Sequence, residues 1–424
     1  MTTLLTLPYL VRILLSLAAI LVFQKITRRL DVALLLGTLV LALWTGHSAS
    51  SMLHVAGDRL ISLDTLFLAV VIAGVIWLSS LMSEAGTMKD LVTSLRSRLS
   101  KRSILAALPA VVGLLPMPAG ALFSAPLVQD ADSESALTPR QKTHINYWFR
   151  HVWEFWWPLY PGVLLAVDLS GLPIWGIVGL MMPLFFVAIA AGYIFLLRGT
   201  PNGPPLPRGK DDKAFLPLIL PTLTVIAVYA VLLLTAPALA RFNKYLPMAI
   251  GIVCGLAVLQ VQRPLPAAVW KKVVFSIKAL SLVAIIVLAR VYGAFIEAQL
   301  ADGVFIMDKV REELNSFAIP ALALVVVIPF ISGLTTGITV GYIGASFPVI
   351  LSLAGPSQHD LYSTIVLGYA SGYIGMMLSP IHVCLIVTNE YFKTGLLESL
   401  AGLLKPALMV FTGAVWYAIL WAYI

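Results

Sequence analysis

The sequence predicts an all-α polytopic membrane protein built from two inverted-topology repeats, each with five transmembrane helices and one re-entrant hairpin. Three observations carry this. The chain is 60% hydrophobic and 11% charged, with a mean hydropathy of +0.95, too little charge to cover a soluble protein of 424 residues. Matching stretches recur at a constant spacing of 222 residues: SAPLV at 124–128 and SFPVI at 346–350, Tyr147 and Tyr369, WPLYPGVLLAVD at 157–168 and SPIHVCLIVTNE at 379–390. Helix breakers also cluster inside apolar runs, where lipid offers no water to an opened backbone.

A span needs about 20 apolar residues. Candidates lie near 4–23, 30–46, 60–82, 144–167, 172–197, 214–236, 245–262, 273–298, 361–388 and 396–423, ten in all. The first has no basic segment before it and no small-residue cleavage site, so it reads as a retained helix and not a signal peptide. Two further apolar segments, 103–128 and 318–353, are interrupted by Pro, Gly, Ser and Thr. Lys25, Arg28, Arg29, Lys89, Arg140, Lys142, Arg198, Lys210, Arg263 and Lys271 all fall on one side if 103–128 enters and leaves by the same face. That side is the cytoplasm, and both termini then face outward. The net charge of +8 is spent on this punctuation, which argues against nucleic acid as a partner.

The halves are 1–197 and 214–424, with hairpins at 103–128 and 318–353 and broken helices at 144–167 and 361–388. The Pro- and Gly-rich stretch RGTPNGPPLPRGKDDK, 198–213, reads as a cytoplasmic linker. Five spans is an odd number, so the second half enters from the opposite side. An amphipathic segment precedes each hairpin, at 88–102 and 302–317; Leu91, Leu95 and Leu99 recur every fourth residue, as in an interfacial helix.

Helix ends at membrane depth leave N–H and C=O groups unpaired, and those groups can bind ions. LPMPAGALFSAPLV, 115–128, is expected to reverse at Pro116–Gly120, with a helix starting near Ala119 and Pro118 suited to that start. The partner tip is SGLTTGITVG, 332–341. The substrate-binding candidates are therefore Pro118, Ala119, Gly120 and Ser124 from the first hairpin, and Ser332, Gly333, Thr335, Thr336, Gly337 and Thr339 from the second. Trp157, Pro158 and Tyr160 join them from the first broken span, and Ser379, Pro380 and His382 from the second. Pro158 and Pro161 are expected to break the first span; Gly375, Ser379 and Pro380 the second.

Ionisable residues at membrane depth are functional candidates. Arg150, His151 and Glu154, three or four residues apart, would share a helix face as a proton relay or carboxylate clamp, or form a self-neutralising cluster at the cytoplasmic headgroups. Asp64 is a further coupling candidate, or an interfacial cap. Arg290 and Glu297 would pair or snorkel, and Asp168 would sit at a solvated helix end. His151 and Glu154 are two metal-ligand types without partners, and Cys254 and Cys384 read as packed thiols, so no metal and no cofactor is expected beyond a coupling Na⁺ or H⁺. Seven aromatics between Trp148 and Tyr160 form an interfacial belt, with Trp157 and Tyr160 reaching the site.

LPMPAGALFSAPLV, FRHVWEFWWPLYPG, SGLTTGITVGYIGASFP and GYIGMMLSPIHVCLIVTNEYF resemble an uncharacterised prokaryotic family, domain of unknown function 401. That family is grouped with the ion transporter superfamily of citrate, dicarboxylate, gluconate and arsenite carriers. The resemblance implies a homodimer in the prokaryotic inner membrane. It also implies elevator transport of a small organic anion, coupled to Na⁺ or H⁺. The dicarboxylate branch carries Ser-Asn-Thr at both tips, whereas here the first reads Pro116-Met117-Pro118 and the second has Ser332, Thr335 and Thr336 without Asn. The alternatives are a channel for a small solute and a membrane-embedded enzyme; for the latter no nucleophile and base are paired.

Overall fold

The computed structural model describes residues 7–96, 98–116, 120–132, 136–200, 202, 215–300 and 302–423. Its regular elements are helices, with one isolated β-bridge between Gln299 and Phe305 among the described residues. Among the described residues, six helices are long and apolar enough to cross a membrane: Tyr9–Thr27, Leu63–Glu84, Ile174–Leu197, Phe215–Thr235, Ala267–Ile296 and Leu396–Tyr423. Four of the ten expected spans do not reach that standard. Leu30–Trp44 and Leu246–Gln262 are continuous but only 15 and 17 residues long. At 1.5 Å per residue, 15 residues cover about 22 Å of a hydrocarbon core about 30 Å thick.

The other two are the broken spans. The first opens with helix Pro139–Arg150, whose Thr138 and Gln141 form a capping box with Pro139 in the first turn. It ends at Arg150, eight residues before Pro158, and not at the proline as expected. A 3₁₀ turn, Val152–Phe155, follows, and a new helix starts on Pro161 and runs to Ser170. Pro158 and Pro161 have no N–H to donate, so the chain ahead of them tightens into three-residue turns. The second broken span has helix Gln358–Met377, capped by Ser357 and Asp360, and helix Val383–Phe392. The two terminal halves match in register: Pro161–Ser170 and Val383–Phe392 are each ten residues, and 383 less 161 is again 222.

Both hairpins form. The first consists of Lys101–Gly113 and Ala121–Ala131. Its second helix starts at Ala121, two residues later than expected, and Met117, Pro118 and Ala119 lie outside the described residues. The second consists of Ala321–Thr336 and Thr339–Ser352, and turns on Gly337, whose φ of +65° favours glycine. Most of the linker, 203–213, is likewise outside the description; Arg102 holds its near end, donating to the Thr200 carbonyl at 2.5 Å.

Small residues set the packing. A Cβ at Gly333 would stand 2.2 Å from the Gly372 carbonyl, and one at Gly375 would stand 2.1 Å from the Phe330 carbonyl. These contacts lock Ala321–Thr336 against Gln358–Met377. The inner arm Thr339–Ser352 is buried almost along its whole length. The amphipathic segments become helices Thr87–Arg96 and Ile306–Ser316. Their apolar faces differ from expectation in what they cover: Leu91, Leu95, Ile306, Val310 and Leu314 are buried in protein.

Candidate functional site

Four helix N-termini open onto one region. Gly120, Tyr160, Ile338 and His382 are the cap positions, and none has a side chain accepting from the helix's first N–H groups. Each uncapped terminus carries roughly half a positive charge. Close approaches join them. A Cβ at Gly337 would lie 3.2 Å from the His382 backbone and from Ser379 Oγ, and one at Gly162 would lie 2.5 Å from Thr339 Cγ2. Tyr160 donates its hydroxyl to the Gly113 carbonyl at 2.5 Å, tying the first break to the end of the hairpin's first arm.

Arg150, His151 and Glu154 sit at the break itself, 4%, 2% and 7% exposed, which excludes a solvated headgroup cluster. They do not share one helix face, because the helix ends at Arg150 and Glu154 lies in the 3₁₀ turn. The Arg150 guanidinium lies against the first hairpin tip: a Cβ at Gly120 would be 2.3 Å from its Nη2. His151 Nε2 is 3.1 Å from His382 Nε2 and 3.9 Å from Glu154 Oε1. Glu154 accepts from the Thr339 hydroxyl at the second hairpin, and its carbonyl accepts from the Tyr369 hydroxyl. One buried cationic group and one buried carboxylate thus face both hairpins and both breaks.

The remaining candidates divide. Ser124 is buried, with Oγ 3.5 Å from the Gly120 carbonyl. Ser379 donates to the Leu334 carbonyl at 2.7 Å, and Thr336 to the Ser332 carbonyl at 2.7 Å. Pro158 is buried within the break, whereas Pro380 is exposed. Thr335 is bonded to its own helix at the Ile331 carbonyl, 2.6 Å away, and Gly333 packs on the Gly372 backbone. Trp157 packs with Trp153 and Trp156, ring centroids 5.7 and 5.8 Å apart. The aromatic run is therefore no headgroup belt: Trp148, Phe149 and Phe155 are fully buried, and Trp153 stacks on Phe185. Asp64 is elsewhere, accepting from Asn243 Nδ2 at 2.7 Å near the start of helix Leu63–Glu84.

A second buried charge cluster overturns one expected pairing and one expected solvated helix end. Asp168 is not solvated: it meets Arg290 at 3.1 Å and Lys244 at 3.2 Å, and accepts from the Tyr245 hydroxyl at 2.5 Å. Glu297 pairs with Arg59 at 3.2 Å, not with Arg290. Lys142, assigned to the cytoplasmic face by charge, is buried on Asp132 at 2.8 Å.

Three site residues escaped the sequence reasoning. Tyr147 and Tyr369 stood only as matching positions, and Cys384 as a packed thiol. Cys384 lies with His151 and His382, one ligand atom from each within 4.8 Å of the others. The signal for the tyrosines was the repeat spacing itself, which put a hydroxyl at equivalent places in both halves.

The chain aligns over 89% of its length with 90% of the YdaH transporter of Alcanivorax borkumensis, at a TM-score of 0.57 and 14% identity, a likeness of fold. No curated protein matches the sequence. A family model described as a protein of unknown function, DUF401, matches residues 11–421, and the chain belongs to that family.

Proposed function

We propose that this protein is a secondary active transporter of a small organic anion, driven by H⁺ or Na⁺. The observation that carries the reading is the buried Arg150 guanidinium against Gly120, where four uncapped helix N-termini meet. Together these make a positive, desolvated region suited to a carboxylate. The likeness of fold to a transporter supports transport over a channel or an enzyme. Glu154 and His151 are the coupling groups in this reading, because a carboxylate and an imidazole beside the cation can exchange a proton with each passage.

The two halves act as inverted repeats, each contributing a hairpin and a broken helix to a mobile body. The longer spans form the scaffold, a homodimer in a prokaryotic inner membrane with both termini outside. The body slides as an elevator. The matching register of Pro161–Ser170 and Val383–Phe392 supports this symmetry.

The test is thermal stability of purified protein against carboxylates, sugar acids, amino acids and oxyanions, with Na⁺ or choline, at pH 6 and 8, followed by uptake into proteoliposomes. A bound anion raises the melting temperature by mass action. A shift with one anion class that also enters vesicles down an imposed gradient is the expected result. Flux that never saturates, or chemical conversion of a ligand, would overturn it.

A further inference from the structure

We propose that His151, His382 and Cys384 form a binding site for a thiophilic transition-metal ion of the zinc class. The three side chains are 2%, 5% and 9% exposed and come from both broken spans. One donor atom from each lies within 4.8 Å of the others. The two imidazole Nε2 atoms are 3.1 Å apart, with the rings edge to face at 87°. Two nitrogens on one tetrahedral zinc, each at about 2.0 Å, stand about 3.3 Å apart, and a nitrogen and a thiolate sulfur about 3.6 Å. The histidine pair is already at that spacing, and the three donor atoms span no more than 4.8 Å, so a small inward movement brings them onto one ion.

The surroundings prepare the ligands. His151 Nδ1 is 2.6 Å from the Tyr147 carbonyl. A carbonyl only accepts, so Nδ1 carries the hydrogen and Nε2 presents its lone pair to His382 and Cys384. Tyr147 also packs its ring against both imidazoles, at centroid distances of 4.8 and 5.2 Å. His382 Nε2 meets His151 Nε2, while its Nδ1 is buried with no hydrogen-bond partner among the described residues, so one ring nitrogen is left unused by the protein. An N₂S donor set favours zinc-class ions over Na⁺, Mg²⁺ or Ca²⁺, which prefer oxygen. Three protein ligands leave a fourth position, and the Glu154 carboxylate, 3.9 Å from His151 Nε2, is placed to take it. Binding converts the Cys384 thiol to thiolate and releases its proton to solvent. The site shares His151 and Glu154 with the coupling groups proposed above, but it is tested apart from transport, because occupancy is measured on protein at rest.

The experiment uses the purified full chain in detergent, reduced and stripped with a chelator, then titrated with Co²⁺. The expected result is one equivalent bound per chain, with a thiolate-to-cobalt charge-transfer band and strong four-coordinate d–d bands that Zn²⁺ abolishes. Cys384→Ser loses the charge-transfer band, Cys254→Ser keeps it, and His382→Asn weakens binding by at least about tenfold. Wild-type protein with no charge-transfer band would overturn the proposal, as would a band that follows Cys254. Cobalt bound without the band marks surface groups such as His54 and Asp58, and also overturns it. Should Cys384→Ser not fold, X-ray absorption of zinc-loaded wild type decides: a shell containing nitrogen and one sulfur upholds the site, and an all-oxygen shell overturns it.

Discussion

Tyr147 and Tyr369, 222 positions apart, each reach into the other half of the chain: Tyr147 donates its hydroxyl to the Met377 carbonyl at 3.1 Å, and Tyr369 donates to the Glu154 carbonyl. Both acceptors lie in the last turn of a helix, α-helical at Met377 and 3₁₀ at Glu154, where the backbone ladder leaves carbonyls unpaired. Each half thus closes the other's break. Tyr147→Phe and Tyr369→Phe should each cost about 1–3 kcal/mol of stability, the penalty for stranding a buried acceptor. Chemical unfolding of the purified protein reads this, and a loss from only one variant would show that the reciprocity is not energetic.

Gly120→Ala and Gly120→Leu drive a side chain into the Arg150 guanidinium, 2.3 Å from the first added carbon. Overpacking of about 1–3 kcal/mol at that point slows uptake by about one to two powers of ten. Insertion and expression stay normal. Uptake assays at matched expression check this, and wild-type rates would remove the first hairpin tip from the site.

Gly337→Ala tests mainly backbone, with its one added carbon in a tight 3.2 Å approach to His382 and Ser379. Its φ of +65° costs a residue with a Cβ about 1–2 kcal/mol. Gly337→Leu adds a clash with His382, whose backbone is 3.2 Å from the first carbon, and abolishes transport. Melting temperature should fall for both, and transport should fall further for leucine.

Glu154→Gln keeps the shape and the bond from Thr339 but removes the titrating group. Under the proton-coupled reading proposed above, uptake by this variant loses its dependence on an imposed pH gradient, while the anion-induced thermal shift survives. Retained pH coupling would move the proton to another residue.

Asp168→Asn leaves Arg290 buried beside a neutral amide, and breaking a buried pair costs about 3–5 kcal/mol. Replacing both, Asp168→Leu with Arg290→Leu, recovers most of that loss, because the Lys244 side chain is 41% exposed and can turn outward. Unfolding curves of the three proteins decide it, and a double variant no more stable than Asp168→Asn would show that the pair contributes through more than charge.

Local chemistry explains what the sequence revealed. Apolar runs end where Pro, Gly and capping residues stand, so Leu63–Glu84, Phe215–Thr235 and Leu396–Tyr423 fall close to their expected limits. Gly337 and Pro161 mark a turn and a helix start that follow from their own backbone restrictions. Long-range pairing left no such mark. Nothing near Asp168 announces Arg290, and nothing near Cys384 announces His151. The aromatic run misled for a related reason: Trp and Phe suit a lipid interface and a protein interior equally, and only the enclosing helix Ile174–Gly192 decides.

The contact between His151 and His382 spans 231 residues of chain. Polypeptide leaves a ribosome at about 5–20 residues per second, so His151 emerges about 12–46 s before its partner. For most of that interval the nascent first half holds Glu154 without Thr339, and the Met377 carbonyl that Tyr147 will bond does not yet exist. A chain stopped after residue 197 lacks all of these partners and should be a substrate for membrane proteolysis.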